Sequence, residues 1–74
     1  MIEFPQYRKL SNSKSFYCIE DERNFIEIQL IGKQVFRIKL QATQYPEIIK
    51  IKDMLACEAP YLLSSKMEFD QFNN

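Results

Sequence analysis

The stretch Phe25–Ala42, FIEIQLIGKQVFRIKLQA, decides the fold. Ile26, Ile28 and Leu30 share one parity before Gly32-Lys33-Gln34, and Phe36, Ile38, Leu40 and Ala42 share one parity after it. Side chains on a strand alternate between faces, so each run reads as a strand with one buried face, and the pair as a β-hairpin. Two registers compete. A two-residue Gly32-Lys33 turn sets Leu30 against Val35 and Ile28 against Arg37, mixing buried with solvated side chains. A three-residue loop, Gly32–Gln34, sets Leu30 against Phe36, Ile28 against Ile38 and Ile26 against Leu40, with Gln29 meeting Arg37 and Glu27 meeting Lys39 on the other face. A one-residue slip exchanges the faces, so the pattern predicts the longer loop. Gly32 then stands first in that loop rather than at its usual last position.

Working outward, Ser15–Glu20 reads as a short strand rich in Phe16, Tyr17 and Ile19, closed by the polar turn Asp21-Glu22-Arg23-Asn24. Residues 1–10, interrupted by Pro5, are irregular or a weak edge strand, and Ser11-Asn12-Ser13 is a turn signal. Downstream the period changes. Tyr45-Pro46-Glu47 starts a helix, because proline suits its first turn and an early Glu complements the dipole. Ile48, Ile51, Leu55 and Ala59 form its apolar stripe, and Pro60 stops it. Tyr61-Leu62-Leu63 is a short extended piece. Ser65 and Glu68 have capping-box spacing, so residues 65–72 read as a terminal helix with Phe69 and Phe72 on one face. A strand is the alternative there, since Met67 and Phe69 alternate with Glu68 and Asp70.

The expected fold class is α+β. A three-stranded antiparallel β-meander carries one amphipathic helix at about 46–58 on its inner face, and a short C-terminal strand or helix lies at its edge. The whole, residues 1–74, is one unit with a core of Ile26, Ile28, Leu30, Phe36, Ile38, Leu40, Ile48, Ile51 and Leu55. A chain this short buries only about 60–65% of its unfolded surface, so a partner would help to stabilise it.

Ten basic and ten acidic residues give zero formal net charge. This argues against a dedicated nucleic-acid or membrane-surface binder, which normally carries a basic excess. The charges are segregated, however. Residues 33–52 carry Lys33, Arg37, Lys39, Lys50 and Lys52 against Glu47, while residues 53–74 carry Asp53, Glu58, Glu68 and Asp70 against Lys66. Cys18 and Cys57 have no metal-knuckle or redox spacing and fit a reducing compartment. Met1–Pro5 lacks a signal-peptide pattern, and no apolar run has membrane-spanning length. The expectation is a cytoplasmic protein.

Catalysis is disfavoured by inventory. There is no histidine to act as general base or metal ligand, and a single glycine cannot make a phosphate-cradling loop. Glu20-Asp21-Glu22 is the densest carboxylate cluster, but it lacks a cation-loop spacing and reads as a solvated turn. The residues point to no catalytic group, metal or cofactor.

The outer face of the sheet is the functional lead. In the favoured register Phe25, Ile31 and Val35 flank Glu27, Arg37 and Lys39, and these six form a candidate interface. Either Phe16 and Cys18 or Tyr17 and Ile19 join them. A sheet apolar on both faces is covered on both, here by residues 61–72 of the same chain or by a second chain. The expected function is a non-catalytic interaction or regulatory module that binds protein and self-associates as a homodimer. The alternative is a single-stranded nucleic-acid binder that tracks phosphates with Arg37 and Lys39 and stacks bases on Phe16 or Phe25.

Overall fold

Gly32 settles the central hairpin. Its φ is 60°, a region that glycine enters freely and other L-residues do not. Positive φ at the first position of a two-residue loop is the type II′ pattern, whose twist matches that of the flanking strands. The ladder therefore pairs Ile31 with Gln34, Leu30 with Val35, Gln29 with Phe36, Ile28 with Arg37, Glu27 with Ile38, Ile26 with Lys39 and Phe25 with Leu40. The three-residue loop expected from the alternation does not form, and neither do the pairs Leu30–Phe36, Ile28–Ile38, Ile26–Leu40 and Glu27–Lys39. That expectation assumed one wet face. The covers on the two faces lie over the middle of the sheet and leave β4 largely exposed, so mixed pairs along it cost little, and the turn's backbone requirement decides.

The computed structural model describes residues 2–73. Met1 and Asn74, the ends of the unit expected over 1–74, lie outside the described residues. Five strands and two helices follow in the order β1 (Gln6–Leu10), β2 (Ser15–Ile19), β3 (Asn24–Ile31), β4 (Gln34–Gln41), α1 (Tyr45–Leu55), β5 (Tyr61–Leu63) and α2 (Lys66–Asp70). The sheet order is β4-β3-β2-β1-β5, with every neighbouring pair antiparallel. The expected three-stranded meander thus becomes a four-stranded one plus a fifth strand. Residues 6–10 pair on both sides, and the strand at Ser15 lies inside the sheet rather than at its edge. Four antiparallel steps make β4 and β5 run the same way, so α1 is a crossover from one edge to the other.

That crossover is diagonal. β4 ends near Asn24, whereas β5 begins beside Leu10, at the opposite end of the ladder. Ile51 and Met54 of α1 pack on Tyr17, Ile19, Phe25 and Ala42, with Leu10, Leu40 and Tyr61 at the margins. The helix thus covers the Phe25 face and not the Ile26 and Ile28 face expected to be inner. On the other face α2 and the residues after it cover Phe16, Cys18, Ile26 and Ile28 with Phe69 and Phe72. Tyr7 packs on Phe69 with ring centroids 5.8 Å apart, and Phe16 on Phe72 at 5.1 Å. Residues 66–70 are therefore helical, and Ser65 caps them by accepting the Glu68 N–H at 3.2 Å. The reciprocal half of the box is absent, because the Glu68 carboxylate instead accepts from Lys9 Nζ (3.0 Å) and Ser64 Oγ (2.8 Å).

The core departs from expectation on β4. Ile26, Ile28 and Ile51 are buried, but Leu30, Ile38, Leu40, Ile48 and Leu55 are only partly so, and Phe36 is exposed. The Ile26 set and the Phe36 set lie on opposite faces of the sheet, so they cannot share one core. Buried Met54, Phe69 and Ile19 take the vacated roles.

Three devices anchor the ends of α1. At its N-terminus the Gln44 N–H donates to Glu47 Oε1 at 3.0 Å. At its C-terminus the Cys57 N–H donates to the Met54 carbonyl and the Glu58 N–H to the Asp53 carbonyl, which is a Schellman motif. Cys57 occupies the left-handed position with φ of 55°. The buried Arg8 of β1 adds Nε to the Met54 carbonyl (2.7 Å) and Nη2 to the Leu55 carbonyl (3.3 Å). A guanidinium thus sits at the negative end of the helix dipole.

Candidate interaction surface

β4 is an edge strand of eight residues without proline. Because α1 crosses diagonally, it leaves the turn end of the β3–β4 hairpin uncovered. Ile31, Val35 and Phe36 are 58%, 50% and 42% exposed there. Ile31 and Phe36 are diagonal neighbours on the α1 face, since Ile31 pairs with Gln34 and Gln29 with Phe36. Val35 stands on the α2 face with Leu30, followed by Arg37 and Lys39.

The strand's charge is one-signed. Gln34–Gln41 holds Arg37 and Lys39 and no carboxylate, and Lys33 precedes it. Arg37 Nε donates to Asn73 Oδ1 at 2.6 Å, a neutral partner that leaves the positive charge in place. Lys39 Nζ lies 3.7 Å from Glu20 Oε1, and both side chains are substantially exposed, so the pair is weak.

The six residues of the expected interface do not form one surface. Phe25 and Glu27 are buried beneath α1, 1% and 6% exposed. Ile31 shares their face but is open. Val35, Arg37 and Lys39 lie together on the opposite face. Phe25 is thus covered by this chain's own α1, and Phe16 by its residues 69–72. Phe16 and Phe25, the rings proposed to stack bases, are both buried.

Glu27 belongs to a buried polar tie between sheet and helix. Its Oε1 accepts from Lys50 Nζ of α1 at 3.3 Å, and its Oε2 accepts from Gln29 Nε2 at 2.9 Å. Tyr17 Oη approaches Oε2 at 3.5 Å. The Lys50 ammonium also lies 5.2 Å and 5.6 Å from the ring centres of Tyr17 and Phe25, in cation–π range. Burial, then the neighbouring Glu27 carboxylate, push the Tyr17 hydroxyl well above the ordinary phenol range. Burial likewise pushes up the Cys18 thiol, which works against thiolate character. The Glu27 contacts tie the sheet to α1. The Glu20-Asp21-Glu22 turn uses its middle carboxylate internally, since Asp21 Oδ1 accepts from the Arg23 N–H (2.8 Å) and from Asn24 Nδ2 (3.0 Å).

A cleft of about 350 Å³ opens along α1 between Ile48, Ile51, Lys52 and Leu55 and is rimmed by Ile2, Glu22 and Arg23. Its size suits a small ligand. Its polar lining is three flexible side chains of mixed sign, however, and gives a ligand no fixed orientation.

Sequence reasoning missed Phe36, which it assigned to the core, and the Arg8 and Lys50 anchors. The signal for Phe36 was Gly32, whose place directly after Ile31 suits a two-residue loop. No local signal marks Arg8, whose partners are about 46 positions away in the chain. Compared with known proteins, the chain matches no family model, no curated protein and no solved structure.

Proposed function

We propose that this chain is a non-catalytic interaction module that binds another protein through the turn end and free edge of its β3–β4 hairpin. One observation carries the reading: Ile31, Val35 and Phe36 are exposed around a strand whose outer side pairs with no other strand among the described residues. Apolar side chains scattered singly on a surface need no explanation, but three at one end of an open edge form a contact site. Supporting it, the chain's own helices fill both sheet faces over the central strands. Of the two open edges, β4 has eight residues and two cations, whereas β5, where Leu62 and Leu63 are also exposed, has only three residues.

Affinity capture from native lysate tests the proposal, run in parallel with wild-type protein and a Val35→Ser, Phe36→Ser variant whose far-UV spectrum is unchanged. A protein retained by wild type and reduced about tenfold by the variant is the expected result. Retention that ignores both substitutions overturns it. Sedimentation equilibrium at micromolar concentration shows whether the partner is a second copy. Fluorescence anisotropy with mixed oligonucleotides at low salt addresses the nucleic-acid alternative, for which binding falls steeply with added salt.

A further inference from the structure

The edge of β4 has a specific chemistry. Along the ladder, N–H and C=O groups of alternate residues point toward β3, and those between point outward. The Ala42 N–H donates to the Arg23 carbonyl at 2.6 Å, continuing the bonded parity of a two-residue hairpin through positions 34, 36, 38 and 40. Val35, Arg37 and Lys39 therefore carry the outward backbone groups. Two of these three also carry the strand's positive charges, on the α2 face. Phe36, Ile38 and Leu40 make the α1 face of the same strand apolar.

We propose that β4 accepts a sixth strand from a partner protein, an extended segment in which acidic and apolar residues alternate. This rests on the interaction-module reading and names the partner's chemistry. Acidic side chains opposite Arg37 and Lys39 lie on the α2 face, and the intervening apolar ones pack beside Phe36 and Ile38. Backbone bonds supply affinity, and the two side-chain rows supply selection. Lysine on an edge strand repels indiscriminate pairing, and here the same charge selects an acidic strand. A second copy of β4 fits poorly. Antiparallel pairing aligns residues of like parity, so registers centred on Arg37 or Ile38 set Arg37 against Arg37 or Lys39.

The test titrates ¹⁵N-labelled protein with a capped peptide of about seven residues, a usual strand length, alternating valine and glutamate. Expected are shift changes and slowed amide exchange concentrated at Val35, Arg37 and Lys39. A valine–lysine peptide of the same length should bind at least about tenfold more weakly, and a folded Arg37→Glu, Lys39→Glu variant should reverse that preference. The inference is overturned by absent or scattered changes, by equal binding of both peptides, or by undiminished binding of a backbone N-methylated valine–glutamate peptide. Protection of the β4 amides that rises with protein concentration alone assigns the edge to a second copy and also overturns it. Peptide failure with partner capture still lost in the Val35→Ser, Phe36→Ser variant removes this inference and leaves the interaction reading standing. Capture indifferent to those substitutions removes that reading itself.

Discussion

The two faces of the sheet are covered by the same chain in different ways. The α1 face lies under an eleven-residue helix with a bond at its N-terminus, a Schellman motif and Arg8 at its C-terminus, and the Glu27–Lys50 tie in its middle. The α2 face lies under a five-residue helix held by Phe69, Phe72 and the Lys9–Glu68 bridge. A helix that short has no stability of its own, since nucleation alone is unfavourable. Its order is borrowed from the aromatic contacts beneath it. One cover is thus built into the fold, and the other is docked onto it.

Core truncations give the largest expected contrast. Met54→Ala, on the buried side of α1, should cost about 2–5 kcal/mol and lower amide protection throughout the sheet. Phe69→Ala removes an aromatic anchor worth about 3–5 kcal/mol in a typical core. Here its effect should appear as local release, with α2 exchanging near the unprotected rate while α1 stays protected. Hydrogen exchange of both variants decides the matter, and a uniform loss in Phe69→Ala would erase the distinction between the covers.

Next in size is the buried tie. Lys50→Met leaves the Glu27 carboxylate beneath α1 without its cation and should cost about 1–3 kcal/mol by urea denaturation. Adding Glu27→Gln should recover part of that loss, because the orphaned charge is gone. A double variant no more stable than Lys50→Met would mean that the charge pair does not anchor α1.

Cys57 offers a gain. A non-glycine residue in the left-handed position costs backbone energy that glycine avoids. Cys57→Gly should therefore stabilise the protein by about 0.5–1 kcal/mol, with Cys57→Ala near wild type. Thermal denaturation of the pair checks this, and a destabilised Cys57→Gly would show that the thiol's packing outweighs the strain.

The smallest expected effect is acid release of α2. Hydrogen bonds from Lys9 and then Ser64 hold the Glu68 carboxyl below its ordinary value near 4.5. Stability from such a depressed group is complete above the ordinary value and is lost as pH falls through the lower, folded one. Intrinsic-rate-corrected protection of the α2 amides should decline in that window, and Glu68→Gln should flatten the decline. Equal decline in wild type and variant would remove Glu68 as the cause.

Much of this contrast was readable locally. Tyr45-Pro46-Glu47 marks the start of α1 and Ser65 with Glu68 that of α2, because caps and proline effects act within a turn. The end of α1, expected near residue 58 before Pro60, falls instead at Leu55, where the Schellman motif at Cys57 closes the helix. The register of β4 was also written locally, in Gly32, but it lost to the alternation pattern, which presumed one dry face. The candidate interface was misjoined for that reason. Slipping β4 by one residue carries Val35, Arg37 and Lys39 to the face opposite Phe25 and Glu27 and brings Phe36 to the surface.

By itself, then, the sequence determined an α+β chain with strands at 15–20, 25–31 and 35–42 and a helix after Pro46, and left residues 65–72 as a capped helix or a strand, since periodicity, turn chemistry and capping are properties of neighbouring residues. Tertiary structure alone decided that residues 6–10 and 61–63 complete a five-stranded sheet, that α1 and α2 take opposite faces, that Arg8 caps α1 and that Glu27 pairs with Lys50. Each of these joins groups far apart in the chain. Their partners are set by the diagonal path of the crossover and by which surfaces remain to be buried, and no local pattern encodes that choice.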